Sequence, residues 1–148
     1  YFLFESSNVK IENLKMSGKY SFQYTKDLYI NNSSLNTKDA FWHGQNITVE
    51  NSVVKGEYLA WYSKNLTFIN CKITGTQPLC YCKNLKLINC TMVNTDLSFE
   101  YSDVRADVRG NIVSVKNPAS GIICADSIGE IIHEDSVIKC RANIKIRH

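Results

Sequence analysis

The sequence predicts an all-β parallel β-helix of about six coils of 19 residues each, followed by an irregular C-terminal cap. The first observation is a repeated heptapeptide, because residues 65–71 (NLTFINC) return 19 residues later as residues 84–90 (NLKLINC). The second is that this register runs without insertions from residue 8 to residue 102. The third is apolar alternation with a period of two inside each unit, which is typical of strands. Together they indicate short strands that wind around an axis and stack coil upon coil.

Each unit opens with Asn or Asp and has a second Asn five residues later. The opening positions are Asn8, Asp27, Asn46, Asn65, Asn84 and Asp103. The second positions are Asn13, Asn32, Asn51, Asn70 and Asn89. Asn tolerates the left-handed backbone conformation that a sharp turn needs. We therefore expect the Asn residues to lie at corners, where stacked side-chain amides hydrogen bond along the axis.

Inside each unit, the first, third and eighth positions after the opening residue are apolar. Representative sets are Leu28, Ile47, Leu66 and Leu85; Ile30, Val49, Phe68 and Leu87; and Leu35, Val54, Ile73 and Met92. We expect these sets to point inward as three apolar columns, which would form the core of a rod rather than of a globule.

The repeat pattern fades after Asp103. Gly110 and Asn111 interrupt the run, and residues 117–121 (NPASG) read as a turn. Short apolar strands are predicted at residues 113–115, 122–125 and 128–132, and apolar alternation continues from residue 138 to residue 146. We expect residues 103–148 to form irregular coils or a cap, part of it a hairpin, that covers the C-terminal edge of the stack.

The whole chain, residues 1–148, is predicted to be one β-helix domain, with regular coils over residues 8–102. The first residues, Tyr1 to Phe4, read as a strand cut from something longer, because a solenoid end normally carries a polar cap. We therefore expect this chain to be the C-terminal part of a longer protein. The same uncovered N-terminal coil edge invites self-association with another chain.

The net charge of +3 is mild, and lysines recur at coil starts as Lys26, Lys64 and Lys83. We interpret these lysines as solvated corners, so no nucleic-acid partner is expected. No apolar run is long enough for a membrane span, and no membrane partner or cofactor is predicted. Together with thiols expected to be reduced, this favours a cytoplasmic location.

The repeat accounts for most of the six cysteines. Cys71 and Cys90 share one repeat position, where other units have Leu14, Ser33 and Ser52. Buried free thiols that behave as small apolar side chains are the simplest interpretation. Stacked Cys71 and Cys90 would also lie near disulfide distance, so a bridge is compatible with the repeat. A metal site formed by Cys71, Cys80, Cys82 and Cys90 is not predicted, because the repeat position of Cys71 and Cys90 and that of Cys80 lie on different sides of a coil.

The second half of each unit varies most and is rich in aromatic residues. Strand alternation favours burying Trp42 and Trp61, with Phe22, Phe41, Ala60 and Leu79 lying beside an outer row. That outer row would contain Tyr24, His43, Tyr62, Tyr81 and Glu100. The reverse assignment would expose the tryptophans instead. Either way, one face of the rod carries stacked aromatic side chains.

Several motifs resemble a known family. They are residues 37–42 (TKDAFW), 55–67 (KGEYLAWYSKNLT), 77–82 (QPLCYC), 99–102, 115–118 and 126–132. Together they resemble the bacterial β-helix family catalogued as domain of unknown function 3737, over nearly the whole chain. The resemblance implies a right-handed, single-stranded, pectin-lyase-like parallel β-helix with further N-terminal coils. The family has no established activity, so the resemblance leaves function open.

The aromatic row favours a non-catalytic binding or scaffold domain that binds carbohydrate. Exposed rings stack on the apolar faces of sugars, and polar neighbours set the orientation. The candidate ligand-binding residues are Tyr24, His43, Tyr62, Tyr81, Asp39 and Glu57. The competing interpretation is that the stacked rings only stabilise the coils by cross-strand packing.

The alternative function is a carbohydrate-active enzyme, a polysaccharide lyase or glycoside hydrolase. Asp39 and Asp96 share a repeat position but lie three coils, or about 14 Å, apart. This exceeds the separation that two glycosidase carboxylates allow. Asp96 and Glu100 lie within one coil and fit this separation, so they are the candidate catalytic acids; Glu57 lies one coil above Asp39 at a neighbouring position.

Overall fold

The computed structural model describes residues 2–133 and 139–147 of the chain. This part forms fourteen β-strands and contains no helix. The strands are β1 (Ser7–Glu12), β2 (Lys15–Lys19), β3 (Lys26–Asn31), β4 (Ser34–Lys38), β5 (Gln45–Glu50), β6 (Val53–Lys55), β7 (Lys64–Ile69), β8 (Lys72–Thr74), β9 (Lys83–Val93), β10 (Asp103–Arg109), β11 (Asn111–Lys116), β12 (Ser120–Ala125), β13 (Ser127–Ile132) and β14 (Asn143–Ile146).

Within the described residues, every strand pairs in parallel with the equivalent strand of the next coil. The odd-numbered strands β1 to β9 form the first face, and β2, β4, β6, β8 and the end of β9 form the second. Leu28 pairs with Val9 on one side and with Ile47 on the other. The stack has about seven turns, roughly 19 residues apart, which confirms the predicted parallel β-helix.

The predicted inward columns form the core. In β3, β5 and β7 the third and fifth residues are buried, while the residues between them are half-buried. Ile30, Val49 and Phe68 are completely buried and stack in register. On the second face Leu35, Val54 and Ile73 do the same. Because each column buries one apolar side chain per coil, the core is continuous along the rod.

Asn side chains form two ladders at the corners that flank the first face. In the first ladder, Asn65 donates its side-chain amide to Asn46 at 2.9 Å, and Asn84 donates to Asn65 at 2.8 Å. The second ladder contains the bond from Asn89 to Asn70 at 2.9 Å. The donors and acceptors have φ between 52° and 56°. The predicted alignment of Asn residues is therefore confirmed.

The ladder at the second corner has one irregular step. Asn70 donates to Asn51 at 3.3 Å, but Asn51 donates to the side chain of Asn31 at 3.2 Å instead of continuing to Asn32. Asn32 itself donates to Asn13 at 2.7 Å. The column therefore stays aligned, while one amide reaches diagonally across it.

The third face is not built from strands, contrary to the alternation assumed from the sequence. It consists of the segments at 20–25, 39–44, 58–63, 77–82 and 97–102, in which alternate residues have positive φ. Asp39, Phe41 and His43 have φ of 55°, 64° and 57°. The N–H of Phe41 donates to Ser21 of the previous coil, whereas that of His43 donates to Trp61 of the next, both at 3.0 Å. Coils are thus hydrogen bonded in both directions without strand geometry.

This backbone overturns one predicted placement. Phe22, Phe41, Ala60 and Leu79 were expected beside the outer aromatic row, but all four are completely buried. Phe41 stacks on Phe22 at a ring-centroid distance of 5.0 Å and meets Phe68 edge-on at 6.4 Å. The period-two rule failed here because it describes strands, and alternating positive φ changes the direction of each side chain.

Beyond Asp103 the coils continue rather than ending in a hairpin. Strand β10 pairs with β12, and β12 pairs with β14, with Asp103 opposite Ser120 and Ile122 opposite Asn143. The coil length therefore departs from 19 residues while the parallel stack is maintained. The predicted strands correspond to β11, β12, β13 and β14, and the predicted inward residue Ile138 lies outside the described residues.

At the N-terminal edge, Val9, Ile11, Leu14 and Met16 are only partly buried against the core. Phe2 and Phe4 are among the exposed large apolar residues. Self-association through this edge stays a prediction. In the part of the chain that the structure describes, no helix has the length and apolar character needed to cross a membrane.

Candidate functional site

Four stacked rings form a continuous column on the third face, which we call the aromatic column: Tyr24, His43 and Tyr62, which are exposed, and Tyr81, which is half-buried. The ring centroids of Tyr24 and His43 are 4.8 Å apart, those of His43 and Tyr62 5.1 Å, and those of Tyr62 and Tyr81 4.8 Å. Neighbouring planes differ by only 7° to 11°. Tyr24 and Tyr62 are about half exposed, at 47% and 49%. The predicted stacking of these four residues is confirmed.

The backbone holds the column rigidly. Tyr24, His43 and Tyr62 each have positive φ, and each donates its N–H to a carbonyl of the next coil. The acceptors are Trp42 at 2.9 Å, Trp61 at 3.0 Å and Cys80 at 3.3 Å. Because one column residue is anchored in every coil, ring spacing follows coil spacing.

The ring faces point along the axis of the rod and cover one another. Phe4 closes the N-terminal end edge-on to Tyr24 at 5.7 Å, and Tyr101 lies tilted against Tyr81 at 6.0 Å. The column therefore presents ring edges and hydroxyl groups to the outside rather than ring faces. Flat stacking of a ligand on a ring, as expected from the sequence, does not fit this geometry, because neighbouring coils cover the faces.

Trp42 and Trp61 are half-buried beneath the column rather than fully buried as predicted. Their rings stack at 5.3 Å with an interplanar angle of 2°. The indole N–H of Trp42 donates to the carbonyl of Tyr58 at 2.6 Å, and that of Trp61 donates to Gln77 at 2.7 Å. Gln23 makes the same bond to Asp39 at 2.8 Å. Three successive coils therefore have an N–H donor at this position, which the apolar pattern did not reveal.

Glu100 does not continue the aromatic column, contrary to the predicted row. The coil that contains Glu100 has one extra residue before Asp96. Phe99 therefore takes the repeat position of Leu79: its N–H donates to the carbonyl of Pro78, as the N–H of Leu79 donates to the carbonyl of Leu59. Tyr81 in turn donates its N–H to the carbonyl of Glu100 at 2.7 Å. Glu100 thus takes the tryptophan position, and Tyr101 takes the column position.

The candidate catalytic acids Asp96 and Glu100 have different surroundings. The Glu100 carboxylate accepts a hydrogen bond from the Tyr81 hydroxyl at 3.0 Å and pairs with Lys116 at 3.2 Å. Burial, together with this hydrogen bond, raises the pKa of Tyr81, so its hydroxyl stays protonated as a donor. Asp96 lies in the column of Glu57. The carbonyl of Asp96 accepts a hydrogen bond from the N–H of Gln77, in the same way that the carbonyl of Glu57 accepts one from the N–H of Asp39. Asp96 and Asp39 therefore do not share a column.

Of the two predicted acidic neighbours, Glu57 is exposed and lies 3.8 Å from Lys38. Asp39, in contrast, is only 8% exposed, and its Oδ1 has no hydrogen-bond partner among the described residues. Its short side chain lies in one column with Tyr20 and Tyr58, whose longer side chains extend past it. Asp39 is therefore not the outward-pointing ligand contact that the sequence predicted.

Burial raises the pKa of Asp39, with Glu57 adding to the shift and Lys38 opposing it. A carboxyl whose folded pKa is raised stabilises the fold most at low pH, and that stability falls as pH rises above the unfolded value, about 3.9. We expect Asp39→Asn to stabilise the protein by about 1 kcal/mol at pH 7. The gain should shrink at pH 3, where Asp39 is neutral in both states. Thermal unfolding at the two pH values measures this difference.

Glu57→Gln is the control for this experiment, because it neutralises the neighbouring exposed carboxylate. An exposed ion pair contributes little, so its effect on the melting temperature should be small at both pH values. If Asp39→Asn destabilised the protein equally at pH 3 and pH 7, the side chain of Asp39 would not occupy a buried site that disfavours its charged form.

An open groove of about 280 Å³ runs beside the aromatic column. Its lining residues are His43, Gln45, Tyr62, Ser63, Lys64, Tyr81 and Lys83. Neither Asp39 nor Glu57 lines it. The polar neighbours of the rings are thus lysines rather than the predicted acids. The sequence contains a pattern that indicates this arrangement, since lysines recur two residues after the column position. The same pattern is also typical of solvated corners.

Four of the six cysteines lie inside the stack. Cys71, Cys80, Cys82 and Cys90 are buried free thiols, so the bridge between Cys71 and Cys90 is not formed. Cys71 donates to the carbonyl of Ile69 at 3.3 Å, in the same way that Ser52 of the previous coil donates to Glu50. Burial raises the pKa of Cys82 to about 12. A thiol in this state is a poor nucleophile at neutral pH.

No group of three or more His, Cys, Asp and Glu side chains in the described ranges is arranged to hold a metal ion. Comparisons with curated proteins and with solved structures found no significant match. A family model described as "Protein of unknown function (DUF3737)" matches residues 1–147, almost the entire chain. A stacked parallel β-solenoid that carries the quoted motifs in register is consistent with that match. The chain therefore belongs to the DUF3737 family.

Proposed function

We propose that this chain is a non-catalytic β-helix domain that binds carbohydrate along the aromatic column. The observation that carries the proposal is the row of four stacked rings, three of them exposed, beside an open groove. Its volume, about 280 Å³, is close to the lower end of the range of about 300–1,000 Å³ found for ligand pockets. A groove of this size suits a short stretch of an extended chain.

The groove offers the chemistry that sugar hydroxyls require. The Tyr62 hydroxyl, the Gln45 amide and the Lys64 ammonium supply donors, and the hydroxyl and amide oxygens also accept hydrogen bonds. The edges of the stacked rings add apolar contact between these groups. Since equivalent residues recur in each coil, one sugar after another would meet a similar set of partners.

Two observations support binding rather than catalysis. Glu100 is held by Tyr81 and Lys116, so its carboxylate already has a donor and a cation. Asp96 and Glu100 do not line the groove beside the rings. A glycosidase needs an acid and a second carboxylate that converge on one bond of the substrate. The groove contains no carboxylate, and this supports a binding role.

Tyr62→Phe provides the sharpest test of binding, because it keeps the stacked ring and removes only the hydroxyl. We expect wild-type protein to retain glycans on an array and Tyr62→Phe to weaken that binding about fivefold, the value of one hydrogen bond. Titration by intrinsic fluorescence gives the affinity, since Trp61 lies 5.3 Å from Tyr81 behind the groove.

Tyr29→Phe on the first face is the matched control, because the Tyr29 hydroxyl bonds to Glu50 away from the groove. It should leave glycan affinity unchanged. The proposal fails if no glycan is retained, or if Tyr62→Phe and wild type bind equally. Release of reducing ends or unsaturated products from polysaccharides, with or without Ca²⁺, would overturn the non-catalytic assignment.

A further inference from the structure

A second column runs parallel to the rings and gives the groove its charge. This lysine column contains Lys26, Gln45, Lys64 and Lys83, at the first position of β3, β5, β7 and β9. Each residue is paired in register with the next, Lys26 with Gln45, Gln45 with Lys64 and Lys64 with Lys83. Their backbones are therefore separated by the spacing of paired strands, about 4.8 Å.

The ammonium groups of the groove are not neutralised by ion pairs within the described residues. All three lysines of the column are exposed, and among the described residues none of them takes part in a salt bridge. Two acids on or next to the third face pair with other lysines, Glu57 with Lys38 and Glu100 with Lys116. Because like charges repel when stacked at this distance, Lys64 and Lys83 gain most from an anion that bridges them.

The orientation of the rings adds to this preference. An aromatic ring has a negative face and a positive edge. In the aromatic column the faces are covered by neighbours at 4.8 to 5.1 Å, so the groove receives only edges and hydroxyl groups. Both the ring edges and the ammonium groups therefore favour negative charge in the groove.

We propose that the groove binds an acidic oligosaccharide, whose carboxylate or sulfate groups bridge Lys64 and Lys83 while its hydroxyls meet Tyr62 and Gln45. This inference rests on the proposed function and specifies the class of ligand. A single-stranded nucleic acid fits less well, because its bases bind by stacking on open ring faces. The faces of His43 and Tyr62 are already covered by their neighbours.

The test measures binding of the full chain to four probes by fluorescence titration and calorimetry. The probes are a uronic-acid oligosaccharide, its carboxyl-reduced neutral counterpart, a sulfated oligosaccharide and a single-stranded DNA oligonucleotide. We expect acidic oligosaccharides to bind at least about tenfold more tightly than the neutral one, as charge-assisted hydrogen bonds do. Affinity for them should fall as salt rises. The uronic and sulfated arms show which anion is preferred.

The decisive variant is Lys64→Gln/Lys83→Gln, which should lower affinity for the acidic probes about tenfold. Affinity for the neutral probe should fall much less, because a glutamine side chain still donates hydrogen bonds to sugar hydroxyls. Lys55→Gln/Lys72→Gln is the matched control, because it removes the same charge from β6 and β8 on the second face. If the control weakens binding equally, net charge rather than the groove is responsible, and the inference is overturned.

The outcomes separate this inference from the proposed function. Equal affinity for acidic and neutral probes, with loss of binding in Tyr62→Phe, contradicts the acidic ligand and leaves carbohydrate binding intact. If the acidic probes need the lysines but bind Tyr62→Phe as tightly as wild type, the role of the aromatic column is contradicted. The role of the lysine column is then retained. Preference for the oligonucleotide over every sugar, or binding of no probe at all, overturns both.

Discussion

Gly75→Ala is expected to destabilise the protein by about 3–5 kcal/mol, through steric overlap and backbone strain. Gly75 has φ of 140°, and a Cβ at this position would lie 2.0 Å from the carbonyl oxygen of Gly56 in the neighbouring coil. That oxygen belongs to the backbone, so it cannot move without separating the coils. A loss of this size is a large share of the about 5–15 kcal/mol that stabilises a typical domain.

Gly18→Ala is the matched control, because Gly18 occupies the same repeat position. A Cβ there would meet only side-chain atoms of Met16 and Ser21, both at 3.6 Å, which is ordinary contact. We expect a change of less than about 1 kcal/mol, toward higher stability, since alanine restricts the unfolded chain. Urea unfolding of both variants measures the contrast. Similar midpoints for Gly75→Ala and wild type would show that the coils do not approach as closely as described.

Phe41→Ala is expected to cost about 3–5 kcal/mol of unfolding free energy. Phe41 is completely buried, stacked on Phe22 and edge-on to Phe68. The next coil has Ala60 at the same position, so the variant would place two alanines side by side. The cavity cannot close easily, because the N–H of Ala60 is hydrogen bonded to Ala40 at 2.8 Å. The expected loss therefore lies toward the upper end of the range.

Comparing His43→Ala with Phe41→Ala separates the effect of side-chain burial from the effect of lying on the third face. His43 lies two residues from Phe41 but is exposed, and its removal interrupts only stacking with Tyr24 and Tyr62. Such ring pairs contribute about 0.5–1.5 kcal/mol each, so the loss should be clearly smaller than for Phe41→Ala. Denaturant unfolding monitored by Trp fluorescence compares the two. A larger loss for His43→Ala would contradict the described orientation of this face.

The candidate site was only partly predictable. Recurrence at one repeat position was enough to group Tyr24, His43, Tyr62 and Tyr81, because a constant period places equivalent residues above one another. The repeat position alone does not place Glu100 correctly, since one extra residue before Asp96 puts Tyr101 in the column instead. A single added residue is invisible to an apolar pattern that has already weakened at that point.

Lys64 and Lys83 were noticed in the sequence but not assigned to the site. Their distance from the rings depends on how the chain turns between the third face and β7 or β9. That turn is set by positive-φ residues such as Tyr62 and Tyr81, whose side-chain directions follow neither the helical nor the strand period. Which polar groups border the rings is therefore a property of the turn geometry.

By itself, the sequence determined the parallel stack, the inward apolar columns and the aligned Asn residues. These follow from a strict 19-residue period, because strand pairing forces like residues to lie over like. Only the tertiary structure decided that Phe41 is buried, that Gly75 but not Gly18 lies against the backbone of the previous coil, and that ring faces are covered while the rings and the lysines line one groove. Those features depend on backbone dihedrals and on contacts between coils, and a repeat pattern contains neither.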